Sequence, residues 1–186
     1  MHSGNILVGR QEEVIGMLIS DLGLSGPANK TLRDGKIYGV LSYIAPEVLR
    51  GNAYTEKADI YSLGMLTWEI LIGQQAFSQY AHDKYLAQSI CSGERPSIPM
   101  EIPEFYKEFI CSCWNDEPLQ RPSAKDLHLA IDEMFDILIE LRNIQGTEYD
   151  QVEIIPQCSS ITTSIHSEAV YTSRCFTTAE LETGIL

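Results

Sequence analysis

The sequence has little positive charge. Its 186 residues include 13 Lys and Arg against 26 Asp and Glu, which gives a formal net charge of −13 at pH 7. Nucleic acids and anionic membranes are bound by basic surfaces, so the composition argues against both as partners. The simplest interpretation of the acidic charge is that it keeps the protein soluble.

The chain also lacks paired cysteine motifs. Its five cysteines are an odd number, no two form a Cys-x-x-Cys pair, and no His stands at zinc-finger spacing. We therefore predict free thiols in a reducing compartment. The cysteines are Cys91, Cys111, Cys113, Cys158 and Cys175.

No long hydrophobic run is present. The best one, from Leu63 to Gly73, contains Glu69, and it is shorter than the ~20 apolar residues that a membrane-spanning helix needs. The first residues lack the basic start and the apolar stretch of a signal peptide. These features predict a soluble, cytoplasmic protein.

Coarse patterns predict a mainly α fold (α+β) that starts with a small β-hairpin. Two apolar β-type runs, at residues 5–9 and 14–20, predict the hairpin. Glycine, proline and asparagine between residues 24 and 44 predict a long loop, and loops of this length are usually functional. Apolar spacing predicts helices over residues 46–49, 59–72, 82–91, 103–114 and 123–141.

The predicted helix 59–72 is apolar on nearly all sides, so the rest of the fold must cover it and it forms the centre. After about residue 142 the helical period ends, and Ser, Thr and acidic residues dominate. We predict one folded domain over residues 1–141 and a flexible acidic tail over residues 142–186.

Four short motifs occur in a fixed order along the chain. His-Ser-Gly-Asn spans residues 2–5 before the first β-type run, and Asp-Leu-Gly spans residues 21–23 after the second. Residues 39–47 read Gly-Val-Leu-Ser-Tyr-Ile-Ala-Pro-Glu, and a Cys-Trp at residues 113–114 precedes Gln-Arg-Pro at residues 120–122. Each motif alone is weak, since Pro commonly begins a helix, but their order argues against coincidence.

Over about residues 2–141 these motifs resemble the C-terminal lobe of the eukaryotic protein kinases, in particular the tyrosine-kinase-like and Ser/Thr kinase groups. Such kinases carry a catalytic loop, a metal-binding Asp-Phe-Gly, an activation loop and an Ala-Pro-Glu in that order. The resemblance implies ATP-dependent phosphorylation of protein Ser, Thr or Tyr in signalling. It also implies ATP and Mg²⁺ as cofactors and a protein substrate or docking partner.

By this resemblance, Asn5 and Asp21 are the metal-binding residues at which Mg²⁺ and ATP are held, since hard cations take amide and carboxylate oxygens. Glu47 and Arg121 match the positions of a buried ion pair that ties the activation loop to the lower helices. Asp59 matches a residue that holds the backbone of the catalytic loop. Structural alternatives are a turn cap for Asn5 and a helix N-terminal carboxylate for Asp59.

Four activation-loop hydroxyls are candidate phosphorylation sites, although a phosphate there needs an Arg partner. These residues are Ser25, Thr31, Tyr38 and Ser42. Two positions depart from the family pattern: His2 stands where Ser/Thr kinases usually place a Lys, and Val40 stands where many have a Thr. The departures leave specificity for Ser and Thr against Tyr open.

The family motif also indicates what this sequence lacks. The catalytic base stands five residues before the Asn, which is one position before Met1, and the Gly-rich loop and phosphate-binding Lys come earlier still. We expect the chain alone to be inactive and to need an N-terminal lobe or a partner for stability, since each exposed core side chain forfeits about 1.5–3 kcal/mol. It is then either a piece of a working kinase or a non-catalytic, kinase-like binding or scaffold module.

Overall fold

The computed structural model describes residues 2–11, 14–20, 36–133, 164–177 and 180–181. After a single 3₁₀ turn at Ser3–Asn5, strands β1 (Ile6–Gln11) and β2 (Val14–Ile19) form an antiparallel hairpin. The hairpin predicted from the two apolar runs is therefore confirmed.

The body of the fold is helical, which confirms the predicted mainly α class. Its helices are short except for the one at the centre, and 3₁₀ turns at Leu41–Tyr43 and Pro118–Gln120 connect them. The helices are α1 (Pro46–Leu49), α2 (Glu56–Ile72), α3 (Lys84–Cys91), α4 (Glu104–Cys113) and α5, which is described over residues 124–133.

Helix α2 begins three residues before its predicted start. Thr55, with an extended backbone, stands at its N-cap, and the carboxylates of Glu56 and Asp59 lie in the first turn, where the helix dipole favours them. The helix ends at Gly73, whose φ of 71° lies in the left-handed region that a C-terminal glycine adopts without strain.

The centre of the core is α2, as its apolar sequence predicts. Tyr61 and Met65 are fully buried, although Ile70 is half exposed, so the helix is not covered on every side. At Gly64 the helix packs closely against α4: a Cβ atom there would lie 2.7 Å from the Cβ of Cys113. Glycine is required at this position because a larger residue would force the two helices apart.

Side-chain caps fix the starts of α3 and α5. The Asp83 carboxylate accepts hydrogen bonds from the backbone N–H groups of Tyr85 and Leu86, at 2.9 and 3.2 Å. At α5 the Ser123 hydroxyl accepts from the Asp126 N–H at 3.2 Å, and the Asp126 carboxylate accepts from the Ser123 N–H at 2.9 Å. This reciprocal arrangement is a capping box with Asp126 in the place of the usual Glu or Gln.

The loop predicted over residues 24–44 contains regular structure in its described part. Residues Lys36–Gly39 form strand β3, and the turn at Leu41–Tyr43 follows it. Strand β3 pairs with β4 (Arg174–Thr177) in an antiparallel ladder, so the prediction of a structureless loop is wrong over residues 36–43. Residues 21–35 lie outside the described residues.

Residues 164–177, hereafter the strap, belong to the predicted flexible tail and contain regular structure. Strand β4 belongs to this segment, and Phe176 is only 8% exposed within the core. Leu181 is buried as well, at 2%. The division of the chain near residue 141 stays a prediction, because residues 134–163 lie outside the described residues.

Among the described residues, the cysteines are free thiols, as predicted. Cys91 and Cys113 are buried, and Cys111 and Cys175 are exposed; Cys158 lies outside the described residues. Burial raises the pKa of the Cys113 thiol to about 11, so this thiol stays protonated and unreactive at neutral pH. No helix in the part of the chain that the structure describes is long and apolar enough to cross a membrane.

Candidate functional site

Asn5 lies at the junction between the first 3₁₀ turn and strand β1. Its side-chain amide nitrogen donates a hydrogen bond to the Ser20 carbonyl oxygen at 3.3 Å. In return, the Ser20 hydroxyl and N–H both donate to the Asn5 carbonyl oxygen, at 3.0 and 2.7 Å. These three bonds close the open end of the hairpin and hold the Asn5 carboxamide beside the residue that precedes Asp21.

Asp21 itself lies outside the described residues, and so do the candidate phosphorylation sites Ser25 and Thr31. A metal site shared by Asn5 and Asp21 therefore stays a prediction. Within the described ranges no group of three or more His, Cys, Asp or Glu side chains could hold a metal ion.

Glu47 and Arg121 form the predicted ion pair. The guanidinium donates two parallel hydrogen bonds to the carboxylate, each 2.7 Å long. The side chain of Glu47 is 9% exposed and that of Arg121 is 0% exposed, so the pair lies in a low-dielectric interior. Fork-to-fork geometry of this kind is the strongest form of such a contact. It joins α1 to the turn that precedes α5.

Two further N–H groups of Arg121 donate to backbone carbonyl groups. Its Nε donates to the Asn115 carbonyl at 2.8 Å and Nη1 to the Lys57 carbonyl at 2.8 Å. The guanidinium also lies over the ring of Tyr61 at 5.2 Å, and Arg95 lies over the same ring at 5.1 Å. Each nitrogen of the guanidinium therefore has at least one hydrogen-bond acceptor, so its charge is not buried without partners.

A hydrogen-bonded chain that was not predicted links the first turn of the molecule to α2. The Tyr43 hydroxyl lies 3.2 Å from the Ser3 hydroxyl and donates to the Glu69 carboxylate. Burial raises the pKa of Glu69, while the hydrogen bond from Ser3 lowers it. A signal was present in the sequence, since Glu69 is an acidic residue within an otherwise apolar run and needs a partner there.

The same part of α2 contacts the segment around Tyr43 a second time. The Ser62 hydroxyl donates to the Tyr43 carbonyl at 2.8 Å. Residues 39–47, whose motif suggested the end of an activation loop, are therefore bound directly to the central helix.

Asp59 is exposed in the first turn of α2. It lines a small cavity of about 50 Å³ together with His2, Tyr54 and Ser62, among others. The structure thus brings Asp59 and the first motif to one cavity, and its predicted contact with catalytic-loop backbone stays a prediction.

The two described candidate phosphorylation sites differ in accessibility. Tyr38, on strand β3, is 42% exposed, whereas Ser42 is fully buried. The Tyr54 hydroxyl accepts from the Tyr38 N–H at 3.1 Å and donates to its carbonyl at 2.8 Å. A kinase can reach Tyr38 from solvent, but Ser42 becomes reachable only if this part of the fold opens.

An apolar surface lies on the hairpin next to Asn5. Leu7 is 55% exposed, Leu18 is 67% exposed and Ile19 is 63% exposed, and Leu7 pairs directly with Leu18. Leu7 and Leu18 share one face of the hairpin, whereas Ile19, the next residue along β2, points to the other face.

The chain is similar in sequence to known protein kinases. Residues 1–131 match the family model described as protein tyrosine and serine/threonine kinase. The chain is 35% identical to the dual specificity protein kinase shkC of Dictyostelium discoideum over 151 residues, 79% of this chain and 29% of that protein. Over 127 residues, 66% of this chain and 24% of the relative, it is 35% identical to the dual specificity protein kinase shkA of the same organism.

A third relative is the probable serine/threonine-protein kinase roco5 of Dictyostelium discoideum, 42% identical over 94 residues, which is 46% of this chain and 3% of that protein. The chain thus spans less than a third of the length of each of these relatives. The family model covers most of the chain and includes the Asn5 turn, the Glu47–Arg121 pair and the helices between them. The chain belongs to the protein tyrosine and serine/threonine kinase family.

Proposed function

We propose that this chain is the metal-binding and substrate-binding lobe of a kinase that transfers phosphate from ATP to protein Ser, Thr or Tyr in signalling. The observation that carries the proposal is the set of hydrogen bonds between Asn5 and Ser20. They hold an amide side chain at the end of the strand from which Asp21 follows. Catalysis of phosphoryl transfer depends mainly on such positioning and on charge neutralisation.

Asn5 and Asp21 are the residues that would hold Mg²⁺ in this lobe. The donor types fit, because a hard cation takes amide and carboxylate oxygens. The Asn5 side-chain nitrogen donates a hydrogen bond to the Ser20 carbonyl oxygen, whereas a cation would bind the side-chain oxygen. Asn5 can therefore hold the hairpin and bind a cation at the same time. When bound, Mg²⁺ supplies positive charge that neutralises the phosphates.

The apolar hairpin surface supports the same proposal. Leu7, Leu18 and Ile19 lie beside the Asn5 turn and are each more than half exposed. The flat face of an aromatic ring such as adenine, or an N-terminal lobe, would cover this surface and remove it from water at a gain of about 25 cal/mol per Å² of apolar area. Free thiols at the described cysteines support a reducing, cytoplasmic location.

The Glu47–Arg121 pair anchors the segment that would contact the protein substrate. Residues 39–47 end in Glu47, and the pair fixes this end to the helices below. We infer a positioning role for the pair and no direct part in phosphate transfer.

The proposal is tested with the natural gene product in its intact form. We expect Asn5→Ala and Asp21→Ala each to reduce phosphate transfer from radiolabelled ATP to a generic protein substrate by at least about a hundredfold, in line with the loss of a key electrostatic group. Asn52→Ala, at an exposed position, is the matched control and should retain activity. Full activity in both Asn5→Ala and Asp21→Ala would refute the magnesium assignment.

The 186-residue chain alone is proposed to be inactive. The position of the catalytic base, five residues before Asn5, falls outside its sequence. An in-frame Asp codon directly before Met1 supports this account, and measurable phosphate transfer by the purified 186-residue chain contradicts it.

A second candidate is a non-catalytic binding or scaffold module. It is favoured by an open groove of about 540 Å³ on α3, lined by Tyr85, Gln88, Ser89, Ser92, Gly93 and Glu94. Tyr85 is 65% exposed there, and exposed aromatic side chains often anchor protein partners. For such a module, Tyr85→Ala would weaken capture of the partner while Asp21→Ala would have no effect, the reverse of what a kinase site requires.

A further inference from the structure

The segment formed by residues 39–47 is held to the rest of the fold at both of its ends. Its last residue, Glu47, is fixed by its buried ion pair. Its first residue, Gly39, follows Tyr38 on strand β3, and the side chain of Tyr54 bonds the Tyr38 backbone. The sequence predicts the ion pair at Glu47, whereas no motif of the sequence involves Tyr54.

A single phenol hydroxyl binds both polar backbone groups of Tyr38. The Tyr54 hydroxyl accepts a hydrogen bond from the Tyr38 N–H at 3.1 Å and donates one to the Tyr38 carbonyl oxygen at 2.8 Å. A tyrosine hydroxyl can donate and accept at the same time, so both bonds can form together. These two hydrogen bonds, hereafter the Tyr54 clamp, hold the β3 backbone at one residue.

The Tyr54 clamp joins β3 to the start of the central helix. Tyr54 directly precedes Thr55, which is the N-cap residue of α2. The Tyr54 side chain is partly buried, and burial raises the pKa of its hydroxyl. The hydroxyl therefore stays protonated at neutral pH and can donate to the Tyr38 carbonyl oxygen.

The residues that follow Tyr38 have few side-chain anchors of their own. Gly39 has a φ of 145°, a conformation that glycine adopts without strain, and it has no side chain to bind a neighbour. Val40 is apolar, so its side chain forms no hydrogen bond. Among the described residues, the buried Ser42 hydroxyl has no hydrogen-bond partner. The position of residues 39–42 therefore depends on packing and on the Tyr54 clamp.

The Tyr54 clamp also lies near the first motif of the chain. Tyr38 and Tyr54 both line the cavity of about 50 Å³ that includes His2. His2 stands three positions before Asn5, the proposed metal-binding residue. A shift of the β3 backbone at this point would change how residues 39–47 face the proposed site of phosphate transfer.

We propose that Tyr54 is a positioning residue for the protein substrate, because its hydroxyl fixes the start of residues 39–47 before the substrate binds. The proposal rests on the proposed function, in which residues 39–47 contact the protein substrate. A surface that is already ordered binds its partner with a smaller loss of conformational entropy. Tyr54 contributes to substrate binding and takes no part in the chemical step, so its loss raises KM and leaves kcat unchanged.

The test compares Tyr54→Phe with the wild type in the intact natural gene product. This substitution keeps the aromatic ring and removes only the hydroxyl. We expect the KM for a generic protein substrate to rise at least about fivefold, while kcat and the KM for ATP stay unchanged. An unchanged KM for the protein substrate, or a loss in kcat alone, would overturn the proposal.

Tyr80→Phe is the matched control. The Tyr80 hydroxyl donates to the Glu94 carboxylate at 3.2 Å at an exposed position, so this variant also loses a hydrogen bond from a tyrosine hydroxyl. Its KM for the protein substrate should equal that of the wild type. A rise as large as that in Tyr54→Phe would show that the effect does not depend on the Tyr38 backbone, and the proposal would fail.

Hydrogen exchange on the same intact proteins supplies a readout without nucleotide or substrate. The Tyr38 amide should exchange at least about tenfold faster in Tyr54→Phe, because its N–H loses the hydroxyl acceptor, while the Met65 amide in α2 keeps its rate. Unchanged exchange at Tyr38 would contradict the Tyr54 clamp.

The two readouts separate this proposal from the proposed function. If the wild-type protein transfers no phosphate, the proposed function fails, whereas the exchange rate of the Tyr38 amide still decides whether the Tyr54 clamp exists. If the wild-type protein transfers phosphate and Tyr54→Phe has the same KM for the protein substrate, only the positioning role of Tyr54 fails.

Discussion

The helical body and the hairpin β1–β2 differ in how far their apolar side chains are buried. In the body Val48, Tyr61 and Met65 are fully buried, whereas Leu7 and Leu18 of the hairpin are 55% and 67% exposed. The body is stabilised by contacts within this chain, and the hairpin leaves an apolar face exposed, which we propose is covered by a ligand or a second lobe. Substitutions in the body should therefore affect stability, and substitutions in the hairpin should affect binding.

The largest effect is expected at the buried ion pair of the body. Arg121→Ala leaves the Glu47 carboxylate buried without its partner, and it should lower the free energy of unfolding by about 3–5 kcal/mol. Urea unfolding followed by circular dichroism at 222 nm measures the loss. The double variant Glu47→Leu/Arg121→Met should be markedly more stable than Arg121→Ala, because it leaves no unpaired charge.

Lys107→Ala is the control for this prediction. Lys107 and Glu104 form an exposed pair at 3.3 Å, and pairs of this kind contribute less than about 1 kcal/mol. A loss in Lys107→Ala equal to that in Arg121→Ala would show that burial does not decide the strength of the pair.

A smaller effect is expected where α2 and α4 approach each other. Gly64→Ala places a methyl group 2.7 Å from the Cβ of Cys113, and overpacking of this kind costs about 1–3 kcal/mol. The better helix propensity of Ala offsets up to about 1 kcal/mol of that loss. The melting temperature measured by calorimetry should therefore fall.

A double-mutant cycle isolates the contact. In the background of Cys113→Gly, which removes the opposing Cβ atom, Gly64→Ala should cost less than it does alone, since residues in contact are not additive. If the two effects simply add, crowding between these two positions is not the cause.

His82 joins the body to the strap, and it should give a modest pH dependence. Burial lowers the pKa of His82, with a further lowering from Arg174, while the Val170 and Phe77 carbonyls and Asp83 raise it. As the pH falls, the unfolded chain therefore binds a proton at His82 before the folded chain does. The free energy of unfolding should be highest above about pH 6.5 and should decrease as the pH falls below that value. For one proton the slope cannot exceed about 1.4 kcal/mol per pH unit.

The measurement compares urea unfolding at pH 7.5 and pH 5.5 for the wild-type chain and for His82→Gln. We expect the wild-type chain to lose more stability than the variant over this range. An equal or larger loss in His82→Gln would assign the pH dependence to other groups.

The smallest effect on stability is expected at the hairpin. Leu7→Ser and Leu18→Ser change side chains that are more than half exposed, so the free energy of unfolding should change by no more than about 0.5 kcal/mol. The fluorescence of an apolar dye bound to the native chain should decrease in both variants. Leu127→Ser, at a position that is 4% exposed, is the buried control and should destabilise the chain strongly.

The body and the buried pair were predictable because their signals are strong and largely local. Apolar spacing placed the central helix, and the resemblance to protein kinases matched Glu47 and Arg121 to the positions of a buried ion pair. The capping of α5 by Ser123 and Asp126 also follows from residues three positions apart. Local patterns of this kind remain readable without knowledge of the tertiary fold.

The strap was not predictable, because its order comes from contacts between distant parts of the sequence. Strands β3 and β4 have four residues each, and more than a hundred residues of sequence separate them. Phe176 also lies in a stretch rich in Ser and Thr that resembles a linker. Strand signals this short are decided by tertiary context. The contact between Tyr43 and Glu69 was missed for the same reason, although Glu69 in an apolar helix was a visible sign.

The positions of the two tryptophans decide what intrinsic fluorescence can report. Trp68 and Trp114 are 6% and 7% exposed, and both lie in the helical body, where the Trp68 indole nitrogen donates to the Ser97 carbonyl at 3.0 Å. Their emission will shift to longer wavelength only when the body opens to water. Release of the strap leaves both indoles in place, so a chain can lose the strap and still give the spectrum of a fully native protein.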